Sequence, residues 1–166
     1  MSIVSLAQKY QCDKIGPIRF DLAHYLEGDW YLQQMTMPEG ETLSQVCVTS
    51  KYTFKPDLWS FDIVNKFGNL NESWPNRYMN EIAGQCDEWG QFPVFWSNGE
   101  GLLTAMATRI IAADTSLYFI SYWCDAYSGF NCAWVYSREP KMSGATQDVV
   151  DYYLSLHLPS LDKTQL

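Results

Sequence analysis

The chain has 166 residues, 47% of them hydrophobic and 16% aromatic, with 7 Trp, 11 Tyr and 8 Phe. That bounds it to a single domain with a sizeable core and excludes an intrinsically disordered chain, in which apolar and aromatic residues are scarce. A net charge of −8 excludes nucleic acid as a partner, because such binding rests on Lys and Arg neutralising phosphates; the excess of acids is read as a solubility feature.

The first ten residues, MSIVSLAQKY, have neither a basic start nor a long apolar stretch, so they do not read as a signal peptide. No run approaches the roughly 20 apolar residues that span a bilayer. Five cysteines stand at 12, 47, 86, 124 and 132, and none forms a C-x-x-C pair. Metal or redox motifs bring cysteines close together. Long, irregular spacings instead fit disulfides in an oxidising compartment. The expectation is a secreted protein in its mature form, with the signal peptide removed. Asn71-Glu72-Ser73 is a glycosylation sequon and agrees with that compartment.

Along the chain, apolar and polar residues alternate with the period of half-buried strands. The pattern predicts eight: Asp29–Met37, Ser44–Phe54, Leu58–Phe67, Arg77–Cys86, Gln91–Ser97, Leu102–Ala112, Ser116–Cys124 and Phe130–Arg138. Turn signals separate them, among them PEG at 38–40, KPD at 55–57, NGEG at 98–101 and AYSG at 126–129. Evenly spaced strands with short turns predict an all-β, up-and-down antiparallel barrel; a helix-capped sandwich is the alternative. One helix follows, over Gly144 to His157, with a stripe of Val149, Val150, Tyr153 and Leu154 and with Asp148 in its early turns. It is expected to pack its apolar side on the outside of the barrel.

An eight-stranded barrel is just wide enough to be filled by its own side chains or to hold one small ligand. Parity separates the two faces of several strands. Val46, Val48, Tyr52 and Phe54 share one side of the second strand, with Cys47 on the other. Trp59, Phe61, Ile63 and Phe67 share a side of the third, with Asp62 opposite, and Cys132, Trp134, Tyr136 and Arg138 share a side of the last. Strands Leu102–Ala112 and Ser116–Cys124 are apolar on both sides, so alternation does not assign their faces. An inward set of Tyr52, Phe54, Trp59, Phe61, Trp96 and Trp134 either fills the barrel or lines a cup for a flat, conjugated ligand. Val48, Ile63, Phe119 and Tyr136 complete the apolar candidates, and Gln34, Asn65 and Arg109 are the polar groups expected to orient a ligand.

Catalytic signatures are missing from the sequence: it has no G-x-S-x-G elbow, no Gly-rich phosphate loop and no H-E-x-x-H. Its two histidines, His24 and His157, lie outside the predicted strands, so neither a metal nor a catalytic residue is expected. Cys132 reads as an inert buried thiol.

Three short motifs occur in order. Phe20-Asp21, Tyr25 and Gly28-Asp29-Trp30-Tyr31 resemble the first signature of the lipocalins, where a helical turn closes the barrel floor and the tryptophan opens the first strand. Asp114-Thr115 with Tyr118 resembles the second, and Trp134-Val135-Tyr136-Ser137-Arg138 the third. The resemblance covers nearly the whole chain and is nearest to the group of apolipoprotein D, insect bilin-binding proteins and crustacyanin subunits. It implies a single lipocalin domain over 1–166 that carries a small hydrophobic ligand in an open-ended cup, with a tetrapyrrole or carotenoid as the possible chromophore. It implies structural roles for Gly28, Trp30, Asp114, Tyr118 and Arg138, and a disulfide between Cys12 and Cys124. The position of Cys47 pairs, in relatives, with a cysteine in a C-terminal tail that this chain lacks, so Cys47, Cys86 and Cys132 stay unassigned. Leu26 and Glu27 stand between Tyr25 and Gly28 where relatives usually have one residue, which implies a differently shaped floor.

Two rival readings remain. One is a lipocalin-type enzyme acting on a hydrophobic substrate, as in a carotenoid de-epoxidase. It would require a titratable group deep in the cup, and parity places Asp62 outward. The other is a subunit of a homo- or hetero-oligomer that uses Tyr31, Tyr118 and Tyr122 as outward contacts.

Overall fold

The computed structural model describes residues 26–36, 46–57, 60–69, 77–83, 91–97, 103–124, 131–159 and 161. Eight strands form a closed barrel in sequence order: β1 (Gly28–Met35), β2 (Val46–Lys55), β3 (Ser60–Asn69), β4 (Arg77–Ala83), β5 (Gln91–Ser97), β6 (Leu103–Asp114), β7 (Tyr118–Cys124) and β8 (Asn131–Ser137). Each strand pairs antiparallel with the next, and β8 returns to β1. The up-and-down barrel expected from the alternation is therefore present, and the sandwich alternative is overturned by the β1–β8 pairing. Closure leaves the sheet without a free edge strand.

Register fixes which side chains face in. Trp30 stands opposite Ser50, and Ser50 opposite Asn65. Phe119 stands opposite Ala113 and Tyr136. Ile120 stands opposite Ala112 and Val135, one residue on and therefore on the other face. The burial clusters follow this division. One cluster, inside the barrel, joins Leu26, Trp30, Tyr52, Phe61, Ile63, Ile110 and Phe119. A second, outside, joins Ile111, Ala112, Tyr118, Ile120, Tyr122, Ala133 and Val135 to Val150, Leu154, Leu158 and Leu161.

The second cluster explains why β6 and β7 are apolar on both sides. The helix α1 (Gly144–His157) covers their outer face, so both faces are withdrawn from water and alternation has nothing to mark. Tyr118 and Tyr122 are 5% and 4% exposed in this outer core. They are structural here and not available as oligomer contacts, which corrects that expectation. The helix starts at Ser143, whose Oγ accepts from the Thr146 backbone N–H at 3.2 Å. Its first turn contains no acidic residue, so the serine cap, and not Asp148, satisfies the N-terminus. The buried stripe is Val150, Leu154 and Leu158, while Val149 is 42% exposed and lies on the solvent side.

Tyr118 carries a pH consequence. Burial, with Tyr153 and Asp114 adding to it, pushes its pKa from 10.0 up to about 12. A raised folded-state pKa means that the unfolded chain loses its proton first as pH rises. The resulting stability is complete below pH 10 and is lost as pH climbs towards 12. Urea midpoints measured across this range are expected to fall with pH, and to fall less steeply in Tyr118→Phe. Parallel slopes in the two proteins would show that another group controls alkaline unfolding.

Candidate functional site: a floored barrel interior

One end of the barrel is sealed from the sequence upward. Gly28 takes a φ of +106°, a region that glycine enters without steric cost. A Cβ added there would lie 3.1 Å from Arg138 Nη1, so a side chain would disturb the next contact as well. The turn delivers Trp30, fully buried, into the barrel's end. Its indole Nε1 donates to the Leu26 carbonyl at 2.8 Å. Phe119 meets the indole edge-on at a centroid distance of 4.7 Å. The Arg138 guanidinium lies 3.6 Å from the centroid of the indole ring. Arg138 is held there by donating from Nε to the Thr115 carbonyl and from Nη1 to the Asp29 carbonyl, both at 3.1 Å. Asp114 closes the adjoining β6–β7 turn: its Oδ1 accepts from the Ser116 backbone N–H at 3.0 Å and the Ser116 hydroxyl at 2.6 Å.

Leu26, one of the two residues in the lengthened gap, is 1% exposed. The extra length brings an apolar side chain and a carbonyl acceptor into the floor. Phe20, Asp21, His24 and Tyr25 lie outside the described residues.

Several candidate ligand residues belong to this floor. Tyr52 and Phe119 meet edge-on at 6.0 Å, Tyr52 and Phe61 at 6.1 Å, and Phe119 stacks on Tyr136 at 4.6 Å. Phe54 and Phe61 lie 5.3 Å apart. Tyr52, Phe61 and Phe119, with Ile63, belong to the buried cluster around Trp30, and Phe54 and Tyr136 pack against it partly buried. The chain leaves β1, β3 and β5 at the end opposite Trp30, after Met35, Asn69 and Ser97.

Above the floor the character changes. Val48 is buried, as are Ser50, Asn65, Thr108 and Ser121. By register Leu32 shares the face of Tyr136, Met35 that of Trp134, and Trp123 that of Cys132. Of these, Leu32, Met35, Trp123 and Trp134 are only part-buried, although they face in. A barrel filled at this level would bury them. Cys132 is a free thiol that donates to the Thr36 carbonyl at 3.3 Å. Burial, against a smaller lowering from Thr36, pushes its pKa up to about 11, which keeps it protonated at neutral pH.

Two polar candidates are displaced. In β1 the register shifts between Leu32 and Gln34, and a bulge inverts every face beyond it. Gln34 consequently stands opposite Val135, an outer-core residue, and Met35 takes the inward place beside Trp134. Arg109 stands opposite Tyr122, and Tyr122 opposite Ala133, both of the outer core. Neither Gln34 nor Arg109 is therefore set to orient a ligand inside. Asn65 does face in, and Ser50, its hydrogen-bond partner, is an inward polar residue that parity reasoning missed. The signal was its place between Val48 and Tyr52 on the apolar side of β2. Trp59 lies outside the described residues, as does the side chain of Trp96. Asp62 faces out and pairs with Lys55 at 3.0 Å.

Cys124 is disulfide-bonded. Cys12 and Cys86, the side chain of Cys47 and the sequon at Asn71 lie outside the described residues. Among the described residues no group of His, Cys, Asp and Glu could hold a metal ion, and no helix is long and apolar enough to cross a membrane.

No family model and no curated protein matches the sequence. Solved structures do. Insecticyanin from the tobacco hornworm Manduca sexta superposes with a TM-score of 0.75 at 21% identity, over 94% of this chain and 84% of that one. The amine-binding protein of Rhodnius prolixus gives 0.70 at 16%, over 93% and 84%. Lobster apocrustacyanin A1 gives 0.65 at 18%, over 85% and 74%. With its closed eight-stranded barrel, its floor of Gly28, Trp30 and Arg138 and its flanking helix, the chain has the lipocalin fold.

Proposed function

We propose that the protein is an extracellular carrier that holds a small hydrophobic ligand, a conjugated pigment such as a bilin or carotenoid, in the barrel interior. The observation that carries this reading is the contrast along the barrel axis. The Trp30 end is sealed by stacked rings, while the inward-facing Leu32, Met35, Trp123 and Trp134 above it are only part-buried. A one-ended apolar recess with few polar groups is what small-molecule sites look like. The neighbours support it: one, the Rhodnius amine-binding protein, is known in complex with tryptamine, a flat conjugated molecule. Export fits the disulfide at Cys124, which we assign to Cys12 on the lipocalin resemblance.

Tryptophan fluorescence tests the reading. Titration with biliverdin, a carotenoid, retinol and a fatty acid is expected to quench emission saturably with at least one of them. Trp134→Ala is expected to weaken that ligand about 3- to 10-fold, the range for loss of an aromatic contact. Quenching by none of the four would overturn the carrier reading.

A further inference from the structure

Just above the floor the barrel contains a polar rung that its own packing does not require. Ser50 and Asn65 are 1% and 5% exposed and stand opposite one another on the inward face. The Ser50 hydroxyl donates to Asn65 Oδ1 at 2.6 Å. That bond uses the serine proton and the amide oxygen, and leaves the two N–H donors of Nδ2. No further hydrogen bond is made by the Asn65 amide among the described residues. Buried polar groups are nearly always paired, and leaving one unpaired costs stability. The rung lies next to Tyr52 and Ile63 of the floor, so whatever accepts from Nδ2 has entered the barrel to its full depth. On the facing strands Ser121 and Thr108, each 5% exposed, add two further buried hydroxyls. A neutral acceptor arriving there loses far less hydration than a carboxylate does.

We infer that Asn65 selects ligands whose inserted end bears an uncharged acceptor oxygen, a carbonyl above all, which Nδ2 binds against the floor while the apolar remainder lies along Trp134 and Leu32. The inference rests on the carrier reading and names the ligand class that the same recess takes.

Three probes with one polyene separate the possibilities: retinal, axerophthene (the hydrocarbon that ends in a methyl group) and retinoate. Dissociation constants come from tryptophan quenching. Retinal is expected to bind about 3- to 10-fold more tightly than axerophthene, as one net hydrogen bond allows, and more tightly than retinoate. In Asn65→Leu that preference should vanish, with axerophthene binding as well as before or better. Ser50→Ala, which keeps the amide, should retain it. Asn65→Ala gives the same readout with a smaller side chain should the leucine variant not fold. Equal affinities for retinal and axerophthene in the wild type, retinoate as the tightest probe, or a preference that survives in the Asn65 variants would overturn the inference while leaving the carrier reading standing. Failure of all three probes to quench would instead remove the carrier reading and this inference with it.

Discussion

Trp30→Ala is expected to lower the stability of the fold by about 3–5 kcal/mol, the usual cost of truncating a fully buried tryptophan. Four losses coincide at this position. The indole is 0% exposed, so its whole apolar area returns as a void. The Leu26 carbonyl loses the N–H that it accepts at 2.8 Å. Phe119 loses the ring it meets edge-on. Arg138, whose pKa is lowered chiefly by burial, loses the π-face that offsets part of that burial. In a chain of this size each kcal/mol moves the melting temperature by about 2–4 °C, so a fall of roughly 6–20 °C is expected. Urea unfolding should show a lower midpoint with an unchanged slope. Trp30→Phe, which keeps most of the apolar area and loses only the indole N–H and some volume, should fall between the two. Ligand affinity should change little in any variant that remains folded, because Trp30 is fully buried in the cluster with Leu26, Tyr52, Phe61 and Phe119. An alanine variant with wild-type stability and abolished binding would assign Trp30 to the recess and refute the floor.

Much of this floor was legible in the sequence, because a positive φ, a buried indole and a covering guanidinium each demand a particular residue type. The inner faces of β2, β3 and β8 were legible too, because alternation survives where one face is wet. What defeated parity was local geometry. A single bulge between Leu32 and Gln34 turns a correct pattern into a wrong assignment for Gln34, and no composition signal marks the bulge. The helix erased the alternation of β6 and β7 by burying their outer face, so parity could neither support the inward Phe119 nor reject Arg109, which faces out. Serine at position 50 interrupts an apolar parity and reads as a defect, until its bond to Asn65 shows the two as a pair. Depth along the axis was not legible at all: alternation tells in from out but not floor from wall. Tyr52 and Phe61 were thus expected along a cup wall and are found buried in the cluster around Trp30.

Leu154→Ala, on the other side of the sheet, is expected to cost about 2–5 kcal/mol, as truncation of a buried leucine does. Leu154 is 1% exposed and packs in the outer core with Ile120, Val135 and Val150. Leu156, two residues on, is 55% exposed, and the same substitution there should stay within about 0.5 kcal/mol, as surface changes do. The pair controls for helix propensity, since both exchange Leu for Ala in the same element. A large difference in urea midpoint between them would show that α1 is part of the cooperative unit and that β6 and β7 are apolar on their outer side to receive it. If both cost the same small amount, the helix contributes little to the unit. The hydrophobicity of Ile120, Tyr122 and Val135 would then need another partner. The outcome bears on the carrier as well. Phe119 and Ser121 face inward from the same strand whose outer face the helix holds, so loosening α1 removes support from one wall of the recess. Ligand affinity in Leu154→Ala is accordingly expected to fall along with stability, whereas in Leu156→Ala neither should move.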